Sequence, residues 1–466
     1  MVQPIAPDYG QQFLLPPVLE DWVPKNHPAR YLREFVDQLD LAALGFMMRN
    51  SMEGRPAYSA SLLLKIWLFG YLHRIRSTRK LEVACREQLS LLWLCGMLQP
   101  DHNSLWRFWR DNKKALRTVF KRSVQLAVEA GLVGLVLQAV DGTKIQAACS
   151  KHSAWNKKSL QDLLQALDRE MDETERQLTQ EAEPDPSSNY QLPESLTERE
   201  ALRQKVRAGL EQMEQARREH LSPGEPEARR MSCEGKNSFA YNAQAVVDEQ
   251  NSVILAEETT NRENDAGLAV PMAQQAQQNT GRQAEATVAD GGYGSGTDIA
   301  QAAQQQVNLL VRPAMDSVAA KKRFHAYNFH FDPKRDVVVC PEGKELGFAR
   351  NMKQKGQTVR IFRCNQYDCP VRGQCTKDKR NRRFVEIWSH TSAVQDMRAR
   401  IKGTKEAAQL AKRQQIIERV FAHIKQHEGF RRWTVRGLEA VNTQWSLICC
   451  AYNLRILLKK WALKHA

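Results

Sequence analysis

Two short apolar runs that each close on Asp-Gly constrain this chain most. They are Leu135-Val136-Leu137-Gln138-Ala139-Val140-Asp141-Gly142 and Ala286-Thr287-Val288-Ala289-Asp290-Gly291. Runs of this length, bounded by turn formers, read as buried strands. Strands covered on both faces belong to a sheet flanked by helices, so the core is expected to be α/β. A carboxylate at the end of a buried strand costs several kcal/mol unless it is paired or binds a metal. Asp141 and Asp290 are therefore candidate functional residues, although Asp-Gly by itself is more often a turn.

The rest of the chain organises around those runs. Further strands are expected at Tyr241–Val247, Val253–Thr259 and Val307–Val311, with a helix over Ala266–Gln278. Residues 1–130 read as an all-helical domain. Helices are expected over Tyr58–Arg74 and Leu81–Met97, then a turn at Gln99–Asn103, then a helix from Ser104 to about Arg122. On that last helix Leu105, Phe108, Trp109 and Leu116 share one face, while Arg107, Arg110 and Lys114 lie on the other. Helix, turn and basic helix form the pattern of a helix-turn-helix whose second helix enters the major groove; a solvated basic face is the plain alternative. Residues 131–466 read as one α/β domain carrying two insertions. Residues 155–222 form a helical hairpin, with Leu160, Leu164 and Leu167 facing Leu202, Val206 and Met213 across the loop Pro184–Asn189. Residues 324–390 are cysteine-bearing and basic. Two helices, about 404–427 and 437–463, close the chain.

Charge points to a polyanion. The net charge is +15, and residues 320–466 hold 32 Lys and Arg against 12 Asp and Glu, whereas residues 236–319 hold 4 against 10. Basic ends suit nucleic acid, and an acidic middle suits a site that gathers divalent metal between phosphate-binding walls. No run reaches the ~20 apolar residues of a membrane helix. The N-terminus lacks a basic start followed by an apolar stretch, so a cytoplasmic, nucleoid-associated protein is expected. In such a reducing setting clustered cysteines are more often metal ligands than disulfides. Cys340, Cys364, Cys369 and Cys375 fall within 36 residues and could close a tetrahedral Zn²⁺ site, although clean C-x₂-C knuckles are absent. The alternative is a metal-free loop region; Lys377, Lys379, Arg380, Arg382 and Arg383 beside it would face DNA in either case.

Glu418 stands where Ile417, Val420 and Phe421 define a packed helix face. With two strand-borne aspartates, a helix-borne carboxylate completes an oxygen-rich site for two Mg²⁺ (or Mn²⁺) ions ~3.5–4 Å apart. Trp433, after Arg431-Arg432, could stack on an unpaired base or pack against the closing helix.

Together, Asp141-Gly142-Thr143-Lys144-Ile145, Tyr241–Asp248, Asn261…Asn264-Asp265, Ala289-Asp290-Gly291-Gly292-Tyr293, Ile417-Glu418-Arg419-Val420-Phe421 and Arg436-Gly437-Leu438-Glu439…Tyr452-Asn453-Leu454 resemble the DDE transposases of bacterial insertion sequences. The insertion sequence 1182 family is the branch most similar. The resemblance covers nearly the whole chain. It implies a ribonuclease-H-like mixed sheet with flanking helices, a DDE triad of Asp141, Asp290 and Glu418, and double-stranded DNA (element ends and target) as partner. It also implies assembly as a homodimer or larger on DNA. Relatives often carry a Tyr and an Arg before the Glu and a Lys seven residues after it. Lys425 occupies that last position, where it could touch a phosphate. Gln414 stands where the Arg is expected, and Arg413 precedes it. A catalytically silent DNA-binding protein and a metal-dependent nuclease remain the rival readings.

Overall fold

The computed structural model describes residues 18–48, 57–149, 154–181, 194–364, 369–378, 380 and 382–465. The Pro184–Asn189 loop and Lys379 lie outside them. Seven helices come first among the described residues: α1 (Leu19–Trp22), α2 (Pro28–Asp37), α3 (Ala60–Leu72), α4 (Thr78–Glu87), α5 (Leu89–Leu94), α6 (His102–Asp111) and α7 (Lys113–Glu129). Their starts are written in the sequence: Ser59, Ser77 and Asp101 cap α3, α4 and α6 by accepting from the backbone N–H of Leu62, Lys80 and Ser104.

Two expected helices are each divided. The segment Leu81–Met97 breaks at Gln88, whose backbone is extended. The helix expected from Ser104 breaks at Asn112, a buried residue whose Nδ2 donates to the Phe108 carbonyl and whose Oδ1 accepts from the Met47 N–H, both at 2.8 Å. A side-chain amide that bonds backbone in this way competes with helix continuation. Downstream of the break α7 turns inward, burying Leu116, Val119, Phe120 and Val124.

The main sheet starts with β1 (Leu137–Gln146). A hairpin clasped by β2 (Trp155–Asn156) and β3 (His220–Leu221) then carries α8 (Lys157–Glu181) and α9 (Glu194–Gln215), with its own small core of Leu160, Val206, Met213 and Leu221. The sheet resumes with β4 (Arg229–Cys233), β5 (Lys236–Asp248) and β6 (Ile254–Thr260), followed by α10 (Ala269–Thr280), β7 (Ala286–Ala289), α11 (Gly296–Gln304) and β8 (Leu309–Leu310). The order is β4-β5-β1-β7-β8, with β6 also on β5. β1 runs antiparallel to β5 and parallel to β7, so the sheet is mixed and the architecture α/β.

After α12 (Asp316–Ala320), a second, antiparallel sheet follows in chain order: β9 (His330–Asp332), β10 (Val337–Val339), β11 (Glu345–Gln354), β12 (Gln357–Arg363) and β13 (Phe384–Ile387). The short α13 (Arg372–Cys375) lies between the last two strands. This sheet packs around Phe329, Phe331, Val338, Leu346 and Phe362. The chain ends with α14 (Thr391–Arg400), α15 (Thr404–Ala422), a π-helical turn at His423–His427 and α16 (Leu438–His465). α16 packs on α7 and β6, so one continuous apolar core joins the N-terminal helices to the main sheet.

Candidate active site

Register brings the two aspartates together. Val140 pairs with Ala289 across the parallel β1–β7 ladder, and Asp141 and Asp290 are the next residues on each strand. Neighbouring strands lie ~4.8 Å apart. One expectation needs correcting: Asp141-Gly142 is no turn. β1 runs on to Gln146, paired with β5 throughout, and it is β7 that stops. Asp290 caps the turn that follows, accepting from the Gly292 N–H at 2.8 Å. Asp141 accepts from the Gly142 N–H at 2.7 Å and from Arg413 Nη1 at 2.5 Å. Burial pushes the Asp141 carboxyl up to about 6 despite Arg413, and the charges of Asp290 and Asp265 add to the rise.

Asp265 is the residue that sequence reasoning passed over, quoting it only within a motif. Its carboxylate accepts from Asn242 Nδ2 at 2.6 Å, Gln244 Nε2 at 2.9 Å and Lys144 Nζ at 3.0 Å. Gln244 in turn accepts from the Tyr293 hydroxyl. A Cβ on Gly142 would lie 2.1 Å from Gln244 Nε2 and 3.0 Å from Asp265 Oδ1, so glycine is what lets this network close. Strand alternation points Gly142 away from Asp141, yet Asp265 lies close to Asp290: a Cβ on Gly292 would sit 2.9 Å from Asp290 Oδ1 and 3.5 Å from Asp265 Oδ2. A signal existed in the sequence: Asn242 and Gln244 are amides in an otherwise apolar strand, and both are fully buried. Buried amides need partners.

α15 packs Ile416, Ile417 and Val420 inward beside β1 and β7. The side chain it delivers to the aspartates is Arg413. Glu418, five residues on, is exposed and makes no hydrogen bond or ion pair among the described residues. Neither later acid substitutes for it. Glu428 is buried among Arg76, Arg455 and His423, and Glu439 pairs with Lys113 at 2.8 Å.

Residues 339–458 match the family described as Transposase DDE domain, and residues 17–111 match the one described as Transposase domain (DUF772). The two matches together indicate a DDE transposase of the insertion-sequence type. No curated protein matches it. The family acts on DNA, cleaving and transferring strands with divalent metal ions. The DDE match covers β11 to β13 of the second sheet and Glu418 but neither aspartate. No helix among the described residues is long and apolar enough to cross a membrane.

The other candidate residues of the transposase fare unevenly. Arg107 and Arg110 are exposed on α6 and Lys114 on α7, with Arg110 Nε 2.7 Å from Asp111. Lys425 lies beyond the end of α15 at Ala422, in the π turn. Lys425 Nζ lies 3.9 Å from Glu234 Oε1, and Arg431 Nη1 lies 3.1 Å from Glu234 Oε2. Arg432 donates to the carbonyls of Ala147 and Cys149, pinning the chain that leaves β1. Trp433 is buried, donates to the Ile145 carbonyl at 3.1 Å and meets Phe430 and Trp445 edge-on, so it packs against the closing helix rather than facing a base.

The four cysteines line one cavity of about 30 Å³ under the second sheet. The Lys344 N–H donates to Cys340 Sγ at 3.3 Å. Burial raises the Cys375 thiol, and the other three cysteines add to the rise. Among the described residues no group of three or more His, Cys, Asp or Glu is set around one point as metal ligands. Arg413 and Lys144 bring positive charge to Asp141 and Asp265 respectively.

Proposed function

We propose that this protein is the transposase of an insertion sequence of the 1182 family. It binds the terminal inverted repeats of its element, cleaves phosphodiester bonds there and joins the 3′ ends to target DNA. The observation that carries this reading is the placement of Asp141 and Asp290 on neighbouring parallel strands at the point where β7 stops. A mixed sheet with parallel β1-β7-β8 and antiparallel β1-β5 supports a ribonuclease-H-like core.

The donor chemistry fits a hard divalent cation. Asp141 and Asp290 offer only oxygen, as Mg²⁺ or Mn²⁺ prefers, and Glu418 is an unengaged carboxylate on the adjoining helix. Two bound ions would supply the charge that activates water or a 3′-hydroxyl and stabilises the leaving oxygen. This chain's own residues do the rest. Arg413 pairs with Asp141, and Asn242, Gln244 and Lys144 fix Asp265 near Asp290. Exposed Arg107, Arg110 and Lys114 in residues 1–130 contact phosphates, and residues 131–466 carry the chemistry. A homodimer or larger assembly brings two ends together. Cys340, Cys364, Cys369 and Cys375, which line one cavity, would supply the four thiolates of a Zn²⁺ staple for the second sheet.

The deciding experiment incubates purified protein with DNA carrying the element's end and Mg²⁺. Nicks at the end followed by strand-transfer products support the reading. Cuts without joining mean a nuclease, and binding without cuts means a DNA-binding protein that has lost catalysis.

A further inference from the structure

A second cavity, of about 250 Å³, opens on the face of β1 opposite Asp141 and is lined by Lys144, Gln146, Cys233, Glu234, Lys236, Ser238 and Arg431. Lys144 also meets Asp265 through its Nζ. It stands three residues beyond Asp141, or about 10 Å along the strand. That is within about three phosphates on a duplex strand. Beyond Asp141 no β7 residue pairs with β1, and Arg432 takes over that edge only at Gln146, which leaves a gap at residues 142–144 where a strand of DNA would cross from one face to the other. Lys425 approaches the same corner from the π turn. Four cations therefore surround a space whose one carboxylate is Glu234.

The way Glu234 is held is informative. Cys233 pairs with Lys236, so Glu234 and Gly235 form the two-residue turn between β4 and β5. Both have positive φ, 49° and 79°. Such turns favour Asn-Gly or Gly-Gly, and a glutamate in the left-handed region carries a backbone cost. Its carboxylate bridges Arg431 at 3.1 Å and Lys425 at 3.9 Å. Arg431 in turn sits at the end of β1, where Gln146 N–H donates to its carbonyl.

We propose that this cavity is a phosphodiester subsite for the DNA strand running into the carboxylates, and that Glu234 is an internal anion which occupies its cations until a DNA phosphate displaces it. The proposal deepens the transposase reading, because it takes DNA as the substrate. Lys236 and Ser238 meet the incoming phosphate, Arg431 and Lys425 exchange Glu234 for it, and Lys144 links the subsite to the network around Asp265.

The test measures binding of a 20-base-pair duplex of arbitrary sequence to the full chain across a salt series, by fluorescence anisotropy without divalent ions. Glu234→Gln is expected to bind up to about five-fold tighter, the scale of one exposed ion pair. Glu234→Asn, which suits the turn better, must also tighten binding. Lys236→Ala and Arg431→Ala are each expected to weaken binding and to reduce the slope of log affinity against log salt by about one. In an Arg431→Ala, Lys236→Ala background the gain from Glu234→Gln must vanish. Unchanged affinity and slope in all these variants, while the intact protein binds DNA, overturns the subsite alone. No DNA binding by the intact, folded protein overturns the subsite together with the substrate reading beneath it.

Discussion

Removing the charge of Asp141 is expected to stabilise the protein while destroying its activity. Asp141 is mostly buried, with 18% of its side chain exposed. Its carboxyl stands at about 6 rather than 3.8, chiefly through burial. That rise corresponds to about 3 kcal/mol. The sign follows from proton linkage. Below about pH 4 both folded and unfolded chains hold the proton, and no penalty exists. Between pH 4 and 6 the unfolded chain releases its proton while the folded chain keeps it, so stability falls as pH rises. Above pH 6 the full cost is present. Asp141→Asn keeps the size and can still accept from Arg413 and Gly142, so it should gain up to about 3 kcal/mol at pH 8 and almost nothing at pH 4. Urea unfolding of both proteins in chelator, at several pH values, measures this. Mg²⁺ should then raise the stability of the wild type but not of Asp141→Asn, a readout independent of cleavage. Equal stabilities at pH 8, or a gain that does not change with pH, would refute the argument that burial strains this carboxylate.

Alanine at Asp141, Asp290 or Glu418 should each abolish end cleavage while leaving DNA binding intact or slightly stronger, because phosphate neutralisation by the basic regions provides affinity; near wild-type cutting by Glu418→Ala would remove it from the triad. Asp265→Asn should slow cleavage without changing DNA affinity, and its rate should fall less than that of Asp290→Ala if its role is to position rather than to hold metal. Trp433→Ala should cost about 3–5 kcal/mol of stability, read as a lower urea midpoint, with no selective loss of single-strand binding. Purified protein should carry one zinc per chain and shield Cys340, Cys364, Cys369 and Cys375 from alkylation until a chelator is added; metal-free protein with freely alkylated thiols would withdraw the zinc staple.

Much of the layout was legible from local pattern. Apolar runs with Asp-Gly ends marked β1 and β7, and the turn at Gln99–Asn103 marked the approach to α6, because turns and strand burial depend on residues a few positions apart. Hairpin residues such as Leu160, Val206 and Met213 were readable for the same reason: helical period alone puts them on one face. The family resemblance named Asp141, Asp290 and Glu418, and register then set the two aspartates side by side. Local pattern failed where a distant partner decided. Asn112 reads as an ordinary helix residue until Met47 arrives to bond it. Arg432 reads as a free cation until the carbonyls beyond β1 claim it. Trp433 has the same sequence neighbours whether it stacks on a base or on Trp445, and only the closing helix settles which.

Arg413 shows the limit most plainly. Its spacing to Glu418 is a one-dimensional fact, and it set Arg413 one position out of place. The structure makes it the partner of Asp141, 272 residues away. Asp265 likewise gains its meaning from Gly142, Asn242 and Gln244. The sequence by itself determined most strands of the main sheet, where the charge would gather, and the acids to suspect, but neither the second sheet nor the breaks at Gln88 and Asn112. Tertiary structure alone decided which cations those acids face, because electrostatic partners are chosen by distances of a few ångströms in space, and chain separation does not encode them.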